Sequence, residues 1–335
     1  MLAFGISVMG ESMKGTQREN NPFPYSDSNK RYYTYEYYLR NKHGGKCAKI
    51  PIDAGFTCPN IDGRCGIGGC IYCSSRGSGD FAAGGGLSVS EQYCIAREKL
   101  AAKWSTERCI PYFQAHTNTY APLSVIRPLF EEAVALPGVV GLNVATRADC
   151  LEDDVVAYLA ELADRTALTV ELGLQTTNDD TARRINRGHT YEQFIKGYKK
   201  LRSASKNIEI CVHLIFGLPG EDDEIMLRSV RELAALAPDH VKLHLLHVLR
   251  SSRLGEIYER GAYTPLERAH YIDLVVKALT LLPPETVIDR LTGDGMGDDL
   301  LAPDWSRKKV SVINDIDKKL YENDLWQGKY FRCDA

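Results

Sequence analysis

The chain has 335 residues, 44% hydrophobic and 25% charged, with 41 basic against 44 acidic side chains and a formal net charge of −3. That length suits one large α/β domain or two modest ones, and the slight acidity excludes a globally basic nucleic-acid binder. No apolar run approaches the roughly 18–20 residues that span a bilayer, and the start MLAFGISVMGESMKG lacks the features of a secretory signal, so a cytoplasmic protein with no membrane partner is expected.

Residues 1–28 are polar and without periodicity, which predicts a disordered leader. Next come Lys30, Arg31, Arg40, Lys42, Lys46 and Lys49 against Glu36 alone, interleaved with Tyr32, Tyr33, Tyr35, Tyr37 and Tyr38. Such a segment can hold phosphates while stacking on bases. It can equally be amphipathic, with its tyrosines packed on the fold.

From about residue 46, strand-like runs alternate with helical patterns. KCAKIPIDAGF precedes the helical stretch 89–106, with Ser90 at its start. CIPYFQA precedes LSVIRPLFEEAVAL, VVGLNVAT precedes LEDDVVAYLAELAD, and LTVELGLQ precedes TARRINRGHTYEQFIKGYKKLRSA. IEICVHLIFGLPG precedes DEIMLRSVRELAAL, and HVKLHLLHVL precedes PLERAHYIDLVVKALTLL. Six strand–helix units imply a parallel sheet with right-handed crossovers, either an open partial barrel or a doubly wound sheet. Both gather ligands at the carboxyl ends of their strands. After Pro283–Pro284 the rhythm stops: ETVIDRL reads as a strand followed by loop, and KKVSVINDIDKKLYEN as a helix. The expected division is therefore a leader (1–28), a barrel (29–282) and an extension packed on it (283–335) rather than a seventh unit.

Of ten cysteines, four lie within DAGFTCPNIDGRCGIGGCIYCSSRGSGDF, directly after the first strand. No signal sequence precedes them, so a disulfide framework is not expected. Cys94, Cys109 and Cys211 sit among apolar residues and read as buried small hydrophobes. In the loop, Cys70 and Cys73 form a C-x-x-C pair and Cys58 stands alone upstream, with Gly63, Gly66, Gly68 and Gly69 letting the backbone wrap a bulky object. Thiolates suit zinc or an iron–sulfur cluster. Four ligands, Cys65 included, would close a zinc site. Three ligands on a 4Fe–4S cubane leave one iron open for a reactant.

CPNIDGRCGIGGCIYC at a strand end, followed by six strand–helix units, resembles the radical S-adenosylmethionine (SAM) superfamily. Its usual cysteine spacing is shorter. The longer spacing here is similar to the branch containing the catalytic subunit of elongator, as are KIPIDAGFTCPN, YFQAHTNTYAP, VATRADC, ELGLQTTND, RINRGHT, HLIFGLPGE and WQGKYF. The resemblance implies an α/β fold, a partial (β/α)6 TIM-like barrel, with a 4Fe–4S cluster and SAM as cofactors. It places cluster ligands at Cys58, Cys70 and Cys73, an adenine-facing ring at Tyr72, and SAM contacts at Thr146, Arg147, Gln175, Arg187 and His213. The usual Gly-Gly-Glu stretch is replaced by Gln114-Ala115-His116-Thr117-Asn118, so Gln114 and Asn118 become the candidates for the amino group. Arg187 as a helix-surface charge, His213 as a core histidine and Gln175 as a turn cap stay open. Glu171 alternates with apolar neighbours and reads as a polar barrel residue near His244 and His247.

The activity implied is reductive cleavage of SAM to a 5′-deoxyadenosyl radical, fed by an electron donor such as ferredoxin or flavodoxin. The elongator-like pieces point to a tRNA wobble uridine as substrate, guided by residues 30–49 and Arg307-Lys308-Lys309. A small-molecule substrate is the alternative, and a non-catalytic zinc-binding scaffold is the alternative of another class.

Overall fold

A computed structural model describes residues 21–74, 77, 86–102, 104–293 and 297–332. Seven strands form one parallel sheet in sequential order: β1 (Ala48–Ile52), β2 (Cys109–Phe113), β3 (Gly141–Thr146), β4 (Ala167–Gln175), β5 (Ile208–Phe216), β6 (His240–Leu245) and β8 (Val287–Arg290). A small antiparallel pair, β7 (Val248–Leu249) and β9 (Leu300–Ala302), stands apart. The helices are α1 (Tyr35–His43), α2 (Val89–Ala101), α3 (Leu123–Val134), α4 (Asp153–Ala163), α5 (Asp179–Arg184), α6 (Tyr191–Ala204), α7 (Asp223–Ala234), α8 (Arg253–Glu259), α9 (Arg268–Leu281) and α10 (Lys309–Glu322). This is the α/β half-barrel that the resemblance implies, and not the doubly wound sheet that the six units left open.

Three local expectations are corrected. The segment after Pro284 supplies a seventh strand, because Val287, Ile288 and Arg290 pair in parallel with β6. The long helix read from TARRINRGHTYEQFIKGYKKLRSA is two helices: Asn186 (φ 55°) and Gly188 (φ 80°) take left-handed backbone, and Thr190 with Gln193 builds a new capping box. Helix α2 is capped by Ser88 with Glu91, not led by Ser90. Of the expected leader, residues 1–20 lie outside the described residues. Residues 21–28 are placed, with Phe23 buried and Asn21 donating to the carbonyls of Ser28 and Lys30.

Strand alternation separates two interiors. Leu142, Val144, Leu168, Val170, Val212, Leu214, Val241 and Leu243 face the helices and are almost fully buried. Each such side chain stabilises the fold by about 1.5–3 kcal/mol. The alternate positions point into the barrel and carry Lys49, Tyr112, Asn143, Glu171, His213 and Lys242, which meet one another across it. Barrels of this kind usually fill that space with branched aliphatics. Here it is polar. At the amino ends of the strands α1 closes the barrel: Tyr38 stacks edge-on to His240 and donates to Glu209, while Thr34 bridges to Ile288. No helix among the described residues is long and apolar enough to cross a membrane.

Candidate active site

The loop from β1 to α2 lies over the carboxyl ends of the strands, where a cavity of about 660 Å³ opens. Cys58, Cys70, Tyr72 and Cys73 line it, together with Gln114, Thr146, Arg147, Gln175, Arg187 and His213. The loop is fixed by backbone and amide bonds together with the buried side chains of Phe56 and Ile71. Asn60 donates to the carbonyl of Asn186 at 3.0 Å, and Asn186 donates to the carbonyls of Ile67 and Gly69 at 3.1 and 2.6 Å. Ile71 exchanges backbone bonds with Ile185 and Leu254. At Gly69 a φ of 72° requires glycine, bringing the chain back toward Cys70.

Two of the three thiols receive a hydrogen bond of the kind that favours anionic sulfur. Thr117 donates to Cys58 Sγ at 3.2 Å and Asn60 to Cys70 Sγ at 3.4 Å. Cys70 and Cys73 share a hydrogen bond that holds the Cys70 thiol below its ordinary range and pushes Cys73 above it, while burial raises Cys58. Cys65 is exposed, is absent from the cavity lining, and meets Arg147 Nη2 at 3.5 Å. A four-cysteine zinc site is therefore not assembled. Three soft donors in one cavity wall, each of two receiving a hydrogen bond, fit an iron–sulfur cluster with one open corner. Of the scattered cysteines, Cys109 and Cys211 are buried, whereas Cys94 is exposed on α2.

The residues expected to contact SAM divide into three groups. Tyr72, Gln114, Thr146, Gln175 and His213 reach the cavity. Gln175 does so from a left-handed backbone (φ 62°) at the bulge ending β4, strain that marks a constrained position. Arg147 and Arg187 reach the wall, but their donors are largely spent. Arg147 forks onto Asp149 at 2.9 and 2.8 Å, a pair that overcomes burial and raises its pKa, and it donates to the Arg187 carbonyl. Arg187, 1% exposed, ties the carbonyls of Leu174, Thr176 and His189 together. It is a brace for the end of β4 rather than a helix-surface charge, and it lines the cavity. Asn118 is a correction. It does not line the cavity, because its amide is committed to the carbonyls of Phe113, Ala115 and Ala145, joining the ends of β2 and β3.

Glu171 is the hub of the barrel interior. Its Oε1 accepts from Lys49 and Asn143, both at 2.9 Å, and its Oε2 from Tyr112 and His213, both at 2.8 Å, and from Lys242. Burial works against the charge, yet Lys242 and Lys49 outweigh it and hold the carboxyl well below its usual range. Period-two alternation pointed to an inward Glu171. A lysine on a strand reads as solvated, so Lys49 is grouped in sequence with the basic segment 30–49 and Lys242 gives no signal. Asn60, Thr117 and Asn186 carried no signal beyond lying inside the quoted segments.

The segment 30–49 is at the other end of the barrel. Lys42 pairs with Glu209 at 2.7 Å, Arg40 with Asp27 and Glu36, and Lys49 points inward to Glu171. Arg307 is engaged by Asp304 and the carbonyls of Gly297 and Leu300.

Residues 61–233 match the family described as Radical SAM superfamily, and residues 238–322 match the Radical_SAM C-terminal domain. Over 314 residues, 94% of this chain and 97% of the relative, the sequence is 44% identical to the uncharacterized protein YtqA of Bacillus subtilis. Over 158 residues it is 29% identical to the tRNA uridine(34) acetyltransferase of Methanocaldococcus jannaschii, covering 46% of this chain and 28% of that protein. Among solved structures, the archaeal Methanocaldococcus infernus Elp3 with an N-terminal deletion superposes with a TM-score of 0.61 at 18% identity, over 84% of this chain and 64% of that one. At that identity the likeness shows the fold alone.

Proposed function

The chain belongs to the radical SAM superfamily, and from that premise we propose that Cys58, Cys70 and Cys73 hold its 4Fe–4S cluster and that the cavity beside them is where SAM and a small substrate meet. The cluster and SAM together supply a reductively generated 5′-deoxyadenosyl radical, the chemistry of the family. The observation that carries the assignment is the convergence of these three thiols, without Cys65, on one cavity at the carboxyl ends of the strands.

The chain's own residues would divide the work. Thr117 and Asn60 stabilise anionic sulfur by hydrogen bonding to Cys58 and Cys70. Tyr72, Thr146, Gln175 and Gln114 present an aromatic face and polar groups for the nucleoside and amino acid portions of SAM. Arg147 and Arg187 act as positioning residues, locking the ends of β3 and β4 beneath it. Free cysteines throughout the described residues fit a reducing cytoplasmic setting, where ferredoxin or flavodoxin supplies the electron.

A tRNA base is the second reading, favoured by the 29% identity to the tRNA uridine(34) acetyltransferase over its matching segment. Against it stands the geometry of residues 30–49, where Lys30, Arg31, Arg40, Lys42 and Lys49 are each paired with a carboxylate, at the end of the barrel away from the cysteines. Anaerobic reconstitution followed by a 5′-deoxyadenosine assay tests the first reading: about four irons per chain and SAM cleavage on reduction are expected, and intact SAM on iron-loaded protein would overturn it. Adding bulk tRNA tests the second, since stimulation of cleavage by tRNA would replace the small substrate with RNA.

A further inference from the structure

Away from the cysteine end, the cavity has a charged floor that the sulfur chemistry does not use. Two ammonium groups share the single carboxylate of Glu171: Lys49 at 2.9 Å and Lys242 in closer contact. The next carboxylate, Asp289, is 3.9 Å from Lys49 but is engaged by His240 at 2.8 Å. His240 in turn faces Glu209 at 3.5 Å, and Glu209 holds Lys42 at 2.7 Å. Burial opposes a charge on His240, yet Asp289 and Glu209 outweigh it and push its pKa up to about 9, so it is a cation at neutral pH. Along this axis Lys42, His240, Lys49 and Lys242 stand against Glu209, Asp289 and Glu171. Even without Arg290, which also lines the cavity, these groups leave one positive charge in excess, and of the two lysines on Glu171 it is Lys242 that lines the cavity.

An uncompensated buried charge is costly. Burial lowers the pKa of Lys242, as befits an ammonium short of counter-charge. Next to it on β6, the Nε2 of His244 is buried without a hydrogen-bond partner among the described residues, and His244 lines the same cavity. Burial and the neighbouring His213, whose ring centroid is 5.1 Å away, keep His244 neutral, so its imidazole can donate one hydrogen bond. Glu171, Cys211 and His213 stand close enough to suggest a metal site, but the two ammonium groups on Glu171 oppose a cation there.

We propose that Lys242 and His244 form an oxyanion subsite that receives a carboxylate or phosphate of the substrate on the cavity floor. This rests on reading the cavity as the radical SAM active site and narrows the substrate to a small anionic molecule. The subsite is too deep for a nucleic-acid backbone: Lys242 is only 5% exposed. An ammonium and an imidazole N–H converging on one oxyanion give charge-assisted hydrogen bonds, the strong kind.

The test is calorimetric titration of reconstituted holoenzyme, with and without saturating SAM, with inorganic phosphate, with acetate, and with neutral acetamide. Saturable binding of phosphate or acetate, and none of acetamide, is expected; the tighter anion identifies the substrate group. Lys242→Met and His244→Phe should each weaken that binding roughly tenfold or more, and Lys242→Arg should retain it, separating lost charge from lost folding. The proposal is overturned if neither anion binds saturably, if Lys242→Met binds as well as the parent, or if SAM displaces the anion, which would assign these groups to the carboxylate of SAM itself. 5′-Deoxyadenosine formation is read separately, so failure to cleave SAM would sink the proposed activity and leave the anion result to stand or fall alone.

Discussion

The two ends of the barrel are built on opposite principles. At the carboxyl ends of the strands, a glycine-rich loop held by Asn60 and Asn186 leaves three thiols and several polar side chains facing open space. At the amino ends, Tyr38, His240, Glu209 and Asp289 interlock under α1, with every charge matched to a neighbour. The lesson concerns satisfaction of polar groups. A buried charged network whose members pair with one another stabilises and seals. His240 Nε2 and His244 Nε2 are both buried without a hydrogen-bond partner among the described residues, but only His244 lines the cavity, where the proposed anion would reach it.

The comparison breaks most decisively at the cysteines. Cys70→Ala should abolish cluster incorporation and lower 5′-deoxyadenosine formation by about a thousandfold or more, read from iron content and product assay. Cys65→Ala should retain iron, since that thiol lies outside the cavity. Equal iron loss in both variants would restore the four-ligand site.

Next in size is Glu171→Gln. Removing the hub carboxylate leaves two ammonium groups facing each other, and loss of about 3–5 kcal/mol is expected from urea denaturation. A change under about 1 kcal/mol would mean that the interior charges are not coupled as drawn.

The sealed end should show itself in pH dependence. His240 has a folded pKa of about 9, above the roughly 6.5 of an unfolded histidine. A group raised in this way contributes stability that is fully present below the unfolded value and is lost as pH climbs through the folded one. Stability should therefore decline by something on the order of 3 kcal/mol between about pH 6.5 and 9. Asp289→Asn should flatten that slope. A profile unaltered by the substitution would dissolve the link between Asp289 and His240.

The smallest effect is at the outer rim. Lys42→Glu and Lys46→Glu should leave SAM cleavage unchanged, and Lys42→Ala should cost about 1 kcal/mol or less, as for a partly exposed pair. If instead these reversals weaken tRNA binding and flatten its salt dependence, the RNA reading gains the docking face that the geometry denies it.

Much of the architecture was legible. Alternating apolar runs such as LTVELGLQ and helical patterns such as DEIMLRSVRELAAL report local periodicity, and each became β4 or α7 with boundaries close to those read. The break at Asn186–Gly188 was harder, because an asparagine in left-handed backbone looks in sequence like any polar helix residue. The site divided in the same manner. Cys58, Cys70 and Cys73 were legible from motif and spacing, whereas Asn118 was read as a ligand contact when three carbonyls had claimed its amide. The resemblance makes Arg187 a SAM contact, and the fold adds what the motif does not carry, its bonds to the carbonyls at the end of β4.

By itself, then, the amino-acid order determined most of the strands and helices of the barrel, that its strands run parallel, and that soft ligands cluster at one strand end. These are properties of neighbours in the chain, set by periodicity, turn residues and donor type. Only the tertiary structure decided that β8 joins the sheet, that Cys65 stands outside, that Lys49 and Lys242 turn inward to one carboxylate, and that α1 seals the far end. Those outcomes depend on which groups from distant segments face each other across the barrel, and on whether each buried polar atom finds a partner there.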